Sequence, residues 1–130
     1  MNERFELIKK VLENGKYKIQ EEDGEQITIR YQLNSVHIIP SSDDDQFVSV
    51  LLPNFADVTE DNFADVVMRC HKLNEQMKQV KLYTVKDVLI AASEFYYKEE
   101  DDLAYQVKIA LNSVIAAKVN YKKLERLEKR

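Results

Sequence analysis

The stretch VKLYTVKDVLIAASEFYY, from Val80 to Tyr97, decides the fold class of this 130-residue chain. Apolar residues from Val85 to Tyr96 recur at intervals of three and four, and that spacing predicts a single helix. The β-branched and aromatic residues of VKLYTV, followed by the near-continuous VLIAA run, favour two buried strands instead. The residues alone leave both interpretations open. One interpretation gives a helical bundle, and the other gives a sheet with helices packed on it.

Composition predicts a single cytoplasmic domain over residues 1–130. A chain of this length buries roughly two-thirds of its unfolded surface, so it needs no disulfide or metal to fold. The one cysteine, Cys70, cannot form an internal disulfide and fits a reducing compartment. The opening MNERFELIKKVLENG is charged, and no later run approaches the ~20 apolar residues of a membrane span. We therefore expect neither a signal peptide nor a membrane anchor.

The charge of the chain argues against nucleic-acid and membrane partners. Its net charge is −4 and its pI is near 5.3, so it repels phosphate backbones and anionic lipids as a whole. The last segment, KVNYKKLERLEKR, has six basic and two acidic residues. That excess could form a basic docking patch, but cations also gather at a helix C-terminus because they complement its dipole.

The first half of the chain reads as one helix followed by strands. Glu3 to Asn14 has helical spacing, with Asn2 as a plausible cap and Gly15 where a left-handed residue is wanted. In YKIQEEDGEQITIRYQL the period changes to two around Asp23-Gly24, a strong hairpin signal. SVHIIPSSDDDQFVSVLLP then predicts strand, acidic loop and strand. The triple aspartate Asp43 to Asp45 lacks the spacing of a calcium loop and suits a solvated hairpin tip.

Two amphipathic helices are expected in the second half. The first lies between Asp57 and Met77, with Phe63 and Cys70 on its buried stripe. The second begins near Glu99 and has one continuous apolar seam that includes Val114, widened in the middle by Ile115. A seam so wide suggests contact with more than one neighbour, of which one could be the sheet and the other a second chain.

The order of elements resembles a known family. With the ambiguous stretch taken as two strands, the order is α-β-β-β-α-β-β-α, which resembles the YbjN family, described as bacterial sensory-transduction regulators, and the related class I type III secretion chaperones. The resemblance covers nearly the whole chain. Its carriers are YKIQEEDGEQITIRYQL for the first hairpin, FVSVLLP for the third strand, VVMRCHKLNEQMKQVKLYTV from helix into strand, VLIAASEFYY for the last strand and LAYQVKIALNSVIAAKVNYKKL for the terminal helix.

The resemblance implies an α+β fold, with an antiparallel sheet that carries its helices on one face. It also implies that the opening stretch forms strands from Lys81 to Val85 and from Val88 to Tyr97. The role implied is that of a bacterial, cytoplasmic regulator or chaperone-like protein, which we expect to be a homodimer. Neither family has a catalytic motif to transfer onto positions of this sequence.

Strand alternation suggests which residues contact a partner. If Val48, Val50 and Leu52 face the helices, the second face of the sheet presents Phe47, Leu51 and Tyr83, together with Phe95 and Tyr97 if they share that face. A surface rich in aromatic residues and mixed with polar ones is typical of a protein interface. The predicted binding residues are therefore Phe47, Leu51 and Tyr83 on the sheet and Val114 and Ile115 on the terminal helix. Any one of them could instead belong to the core.

The sequence shows no motif for catalysis, a cofactor or a metal. Two histidines are too few for a metal site, and the residue four positions after His71 is Glu75, a spacing that an exposed helix contact explains. Cys70 and His71 are adjacent and point about 100° apart on a helix, so they cannot form a nucleophile and base. We expect a non-catalytic protein without a cofactor. A small-molecule site or an enzyme with an unrecognised site is the alternative.

Overall fold

A computed structural model describes residues 3–43 and 46–129 and has the expected α+β architecture. In chain order the elements are α1 (Glu3–Asn14), β1 (Lys18–Glu22), β2 (Ile27–Tyr31), β3 (Asn34–Pro40), β4 (Phe47–Asp57), α2 (Phe63–Gln76), β5 (Lys81–Val85), β6 (Val88–Tyr96) and α3 (Glu100–Glu128). The stretch that decides the fold forms two strands, β5 and β6, joined at Lys86-Asp87. This confirms the interpretation that the resemblance supplied and rejects the single helix.

The six strands form one antiparallel sheet in the order β1-β2-β3-β4-β6-β5. Four strands precede α2, one more than the three in the element order inferred from the sequence, because the first hairpin is followed by both β3 and β4. The longest strand, β4, lies in the middle of the sheet, whereas β1 and β5 form its edges. The helices pack on one face, as expected.

The core lies between that face and the helices. The residues of β4 expected to face the helices, Val48, Val50 and Leu52, are buried. Helix α3 crosses β4 and β6 and also contacts α1 and α2, so neighbours within the chain account for the width of its apolar seam. Each fully buried aliphatic side chain of this core contributes about 1.5–3 kcal/mol. Among the described residues, no helix is long and apolar enough to cross a membrane.

One local prediction near the N-terminus was wrong, and another falls on a residue that the structure does not describe. Gly15 does not adopt the left-handed conformation expected of it; Lys16 does, with φ 64°. A Cβ at Gly15 would lie 2.7 Å from Cε2 of Tyr17, so the close approach of that ring, and not a positive φ, requires glycine there. The predicted cap, Asn2, lies outside the described residues, as do Asp44 and Asp45 of the acidic loop.

The first hairpin has a longer loop than a two-residue turn. Strand β1 ends at Glu22 and β2 begins at Ile27, so four residues separate them. The Asp23 carboxylate accepts hydrogen bonds from the backbone N–H groups of Glu25 and Gln26, both at 2.9 Å, and these bonds lower its pKa. Gly24 supplies the left-handed residue of this loop, with φ 89°.

A buried arginine joins α2 to the end of α3. Arg69 donates from Nε to Glu128 Oε1 at 2.7 Å and from Nη1 to the Tyr121 hydroxyl at 3.2 Å, and its guanidinium lies over the Tyr121 ring. Burial opposes the charge of Arg69, but these two partners outweigh it and raise its pKa. In return Arg69 lowers the pKa of Glu128. This contact fastens the last turns of α3 to the rest of the fold.

Candidate protein-binding surface

The described helices pack on one face of the sheet and leave the opposite face uncovered by a helix. Strand register brings side chains from β3, β4, β6 and β5 together on this face. We call it the open face and define it by Lys81, Tyr83, Ile90, Ala92, Glu94, Tyr96, Phe47, Ser49, Leu51, Pro53, His37 and Ile39. Most of these side chains are only partly buried, because the sheet supports them from below and the described helices pack on its other face.

One end of the open face is apolar. Tyr83 lies opposite Ile90, and Ile90 lies opposite Pro53, so these three side chains form a row across β5, β6 and β4. In the next row Leu51 lies opposite Ala92. Because the side chain of Ala92 is only a methyl group, the surface is shallow between Leu51 on β4 and Lys81 on β5. This end presents an aliphatic surface with one aromatic ring.

The other end of the open face is aromatic. Phe47 of β4 lies opposite Tyr96 of β6, and the centroids of their rings are 4.8 Å apart. Tyr96 is 64 % exposed although its ring packs against Phe47. Phe47 also borders a depression of about 480 Å³, whose floor includes Ile39 and Ser49. Paired rings beside a depression offer a partner both apolar contact and a place to insert a side chain.

A polar strip separates the two apolar ends. Glu94 forms an ion pair with Lys81 at 3.0 Å and accepts a hydrogen bond from the Ser49 hydroxyl at 2.9 Å. Burial alone would raise the pKa of Glu94, but Lys81 and Ser49 outweigh it and place that pKa below its ordinary value. The same ion pair raises the pKa of Lys81. The charges of this strip are therefore satisfied within the chain.

A histidine lies at the border of the open face towards β2. His37 lies opposite Leu51 on β4 and opposite Thr28 on β2. Its Nδ1 is 2.8 Å from the Thr28 hydroxyl and 3.3 Å from Nε2 of Gln26. If Gln26 donates to Nδ1, the neutral ring carries its proton on Nε2. The ring is held in one orientation beside Leu51.

The open face is nearly free of charge. On the strands β3 to β6, Lys81 and Glu94 form an ion pair on this face, and the other acidic or basic side chains that the register places on this side are His37 and, beyond Pro53, Asp57. Charged residues make up 32 % of the whole chain, so their scarcity here is a local property. A neutral surface of aromatic and aliphatic groups suits an apolar partner surface.

The structure separates the five predicted binding residues into two groups. Phe47, Leu51 and Tyr83 all lie on the open face, where alternation placed them. Val114 is fully buried between α3 and the sheet, and Ile115 is partly buried against the same core. The helix residues therefore lie on the opposite side of the sheet from the other three, and Val114 has no surface to offer a partner in this conformation.

Two aromatic residues that were considered for this face lie on the other one. Phe95 and Tyr97 are buried, and Phe95 lies opposite Val48, whose side chain faces the helices. Tyr96, between them, is the aromatic residue of β6 that lies on the open face. The sequence FYY held the signal for this residue, since alternation sends the middle ring of three to the opposite side from its neighbours. Ile90 and Pro53 were also missed, and their register with Tyr83 could not be read without the strand pairing.

A second apolar surface lies on α2. Phe63, Val67 and Met68 are 45 %, 40 % and 52 % exposed, so the expectation that Phe63 belongs to the buried stripe was wrong. We call these three residues the α2 strip. Helix α2 begins only at Phe63, which leaves this ring on its first turn and outside the core. Beside Val67, a cleft of about 320 Å³ separates α2 from the edge strand β5.

Cys70 and His71, the adjacent candidates of α2, lie in different surroundings. Cys70 is buried, and desolvation raises the pKa of its thiol. His71 pairs with Glu75 at 3.0 Å on the exposed surface of α2, as the spacing predicted. No three side chains of the metal-ligating types come together within the described ranges.

No family model matches the chain, and no curated protein matches its sequence. Solved structures do share its fold. YbjN of E. coli, described as a candidate transcription regulator, superposes with a TM-score of 0.70 at 10 % identity, over 95 % of this chain and 93 % of YbjN. An uncharacterized protein of Methanothermobacter thermautotrophicus gives 0.63 at 14 % identity, over 96 % of this chain and 98 % of that one.

A secretion chaperone has the same fold. SycH of Yersinia pestis, solved in complex with a stable fragment of YscM2, superposes with a TM-score of 0.62 at 12 % identity, over 91 % of this chain and 98 % of SycH. These similarities extend over nearly the whole length of each chain. The fold is therefore YbjN-like and secretion-chaperone-like, as the element order indicated.

Proposed function

We propose that this chain is a non-catalytic, cytoplasmic protein-binding module, regulatory or chaperone-like in role, that holds another polypeptide on the open face. The observation that carries the proposal is an aromatic-rich sheet face with few unpaired charges, over which none of the described helices lies. We assign Phe47, Leu51 and Tyr83 to this contact, and we add Tyr96 and Ile90. No nucleic acid, membrane or cofactor is part of the proposal.

The composition of the open face supports a protein partner. Exposed contiguous apolar surface is uncommon on soluble monomers and marks sites of interaction. Aromatic residues are enriched in such sites because each buries a large area with little loss of rotamer freedom. The pair Phe47 and Tyr96, together with Tyr83 at the far end, provides three aromatic anchors around Leu51.

The proteins of similar fold support the same role. SycH was solved with a fragment of another polypeptide, and YbjN is described as a candidate regulator. Both descriptions fit a fold that works by contact and not by catalysis. We extend them to this chain as a proposal, since identities of 10 % and 12 % establish the fold alone.

Self-association is the second candidate, and it has a surface of its own. We place a homodimer contact on the α2 strip, because Phe63 and Val67 are exposed one turn apart and Met68 is exposed next to Val67. The seam of α3 that suggested a second chain is occupied within the chain, with Val114 fully buried. A dimer through α2 would leave the open face free for a different polypeptide.

Native mass spectrometry of the protein, purified gently from cells that express it, tests both candidates. We expect the parent protein to form a complex with a second polypeptide. The Leu51→Lys variant, purified in the same way, should lack this complex, and the Tyr105→Lys variant should retain it. Tyr105 is 64 % exposed on α3, so it is a matched change at a distant position. A homodimer that persists in Leu51→Lys and dissociates in Met68→Lys would support the α2 contact. A bare monomer in every preparation would contradict both.

A further inference from the structure

We infer that the segment held on the open face is an amphipathic α-helix of about four turns, contributed by the partner polypeptide. The inference rests on the proposed function and specifies the partner's conformation. It follows from three properties of the surface: the absence of backbone groups to pair with, its size, and the order of apolar and polar side chains along β4 and β6.

The sheet offers no backbone groups on this face with which an extended segment of a partner could pair. The face of a sheet presents side chains, whereas its N–H and C=O groups point sideways along the ladder. A segment lying on it must therefore satisfy its own backbone hydrogen bonds, and a helix does so internally. The molecule already uses this solution on its other face, where α3 lies across the same strands, β4 and β6.

The two sheet edges, where an extended segment could pair, are obstructed. Strand β1 has the sequence KIQEE and its register with β2 shifts between Ile19 and Glu21. Charged residues and bulges of this kind protect an edge from pairing. On β5, the side chain of Asn74 occupies both backbone groups of Leu82, with bonds of 2.7 and 2.9 Å. An added strand would have to displace it.

The size of the face favours one helix over a second copy of the chain. Phe47 to Pro53 spans about 20 Å along β4, and the four strands from β3 to β5 span about 14 Å across. The rectangle between these strand axes is roughly 300 Å², which suits a single segment and is small beside the ~800 Å² of accessible surface that each globular partner contributes to a standard interface. A helix of about 14 residues is ~21 Å long and ~10 Å wide, and it matches this outline.

The side-chain order specifies the occupant further. Leu51, Ile90 and Tyr83 form the aliphatic end, and Phe47 with Tyr96 forms the aromatic end about 14 Å away. On an α-helix, residues at i, i+4 and i+11 lie on the same side, and the distance along the axis from the first two to the third is close to that separation. The residue at i+7 would lie over Ser49 and Glu94, whose charge is already paired with Lys81. The expected segment is therefore apolar at i, i+4 and i+11 and polar at i+7.

Binding of designed peptides tests this inference. The probe is a fluorescein-labelled peptide of about 16 residues, helical in isolation, with leucine at i and i+4, phenylalanine at i+11 and glutamine at i+7. Two control peptides have the same composition: one is scrambled to destroy the stripe, and one alternates apolar and polar residues as a strand would. Fluorescence anisotropy gives the affinities, and amide chemical shifts of the protein locate the site.

We expect the striped helix to bind at least about tenfold more tightly than either control, because only it places all anchors on one side. Leu51→Lys should weaken it by a similar factor, and Tyr105→Lys should leave it unchanged. The largest shifts should fall on β4 and β6. Equal affinity for the scrambled peptide, tighter binding of the alternating peptide, shifts confined to the edges, or no binding of any peptide would each overturn the inference.

The outcomes also separate this inference from the function it rests on. A natural partner that is lost in Leu51→Lys, while the striped peptide does not bind, would retain the proposed function and reject the helix. A dimer that forms with rising concentration and dissociates in Leu51→Lys would show that the occupant is a second copy. That result would also overturn the inference.

Discussion

The side chain of Asn74 protects the edge strand β5, and a single substitution tests this role. The side chain lies on α2, and its Oδ1 accepts a hydrogen bond from the Leu82 N–H at 2.7 Å while its Nδ2 donates to the Leu82 C=O at 2.9 Å. Both backbone groups belong to the edge strand β5. The Asn74→Ala substitution removes both bonds and leaves the partly buried groups of Leu82 without these partners.

The expected cost follows from the number of bonds. Each hydrogen bond of this kind contributes about 1 kcal/mol net, so Asn74→Ala should lower the free energy of unfolding by about 2 kcal/mol. For a chain of this size the midpoint of thermal unfolding should fall by about 6–10 °C. The uncovered edge should also promote association between strands, so the variant should aggregate faster than the parent protein.

Urea unfolding followed by circular dichroism measures the stability, and light scattering measures the aggregation. Asn120→Ala is the control, because Asn120 is exposed and its contact is a weak one to the Met77 sulfur at 3.8 Å. Asn74→Asp keeps the acceptor for Leu82 N–H but turns a carboxylate oxygen towards Leu82 C=O, so it should be destabilising at neutral pH and less so in acid. A change below about 0.5 kcal/mol in Asn74→Ala would refute the reasoning.

Three further predictions use the same unfolding assay. Arg69→Ala should lower the free energy of unfolding by about 2–3 kcal/mol, which is less than the loss of a fully buried ion pair because Glu128 is partly exposed. A loss of stability no larger than that of Lys72→Ala would contradict the role of this contact. Because the pKa of Glu94 is lowered in the folded state, its pairing stabilises the fold at pH values above the ordinary pKa of 4.5. This stabilisation disappears as the pH falls through the lower folded-state pKa. The parent protein should therefore lose more stability in acid than Glu94→Gln does. Cys70→Ser should cost about 1–2 kcal/mol of stability and leave partner binding intact, whereas loss of binding would point to chemistry at the thiol.

Much of the fold could be predicted because hydrophobic spacing is a local signal. The bounds of α1 match the prediction, and β5 and β6 match to within one residue. The alternation of Val48, Val50 and Leu52 against Phe47 and Leu51 was enough to identify the buried side of β4. The choice between a helix and two strands for the opening stretch needed the order of elements along the whole chain, because its residues satisfy both periods.

The failures occurred where the local pattern is uninformative. In β6, Ala91 and Ala92 are adjacent and alike, and Ser93 and Glu94 are both polar, so the alternation is lost before the aromatic residues at its end. Ser93 faces the core, where its hydroxyl donates to the Gln79 carbonyl at 2.7 Å. A buried polar residue with a distant partner cannot be recognised from the sequence, and for this reason the side of Phe95 was left open.

The seam of α3 shows a different limit. Its width suggested two neighbours, and within the chain the helix contacts β4, β6, α1 and α2. The spacing of apolar residues along a helix indicates how much of the helix surface is buried, but it does not indicate which chain buries it. Val114 was therefore assigned to a partner contact although it is a core residue. Only the strand register could show that the uncovered surface is on the other side of the sheet.

Site-specific photocrosslinking in living cells tests the open face most directly. A photoreactive phenylalanine analogue at position 47, 96 or 105 replaces one aromatic ring with another and so preserves the packing. The account predicts that positions 47 and 96 crosslink to the same second polypeptide and that position 105, on the exposed surface of α3, does not. Crosslinks from position 105 to that polypeptide, with none from positions 47 and 96, would contradict the assignment of the binding surface to the open face.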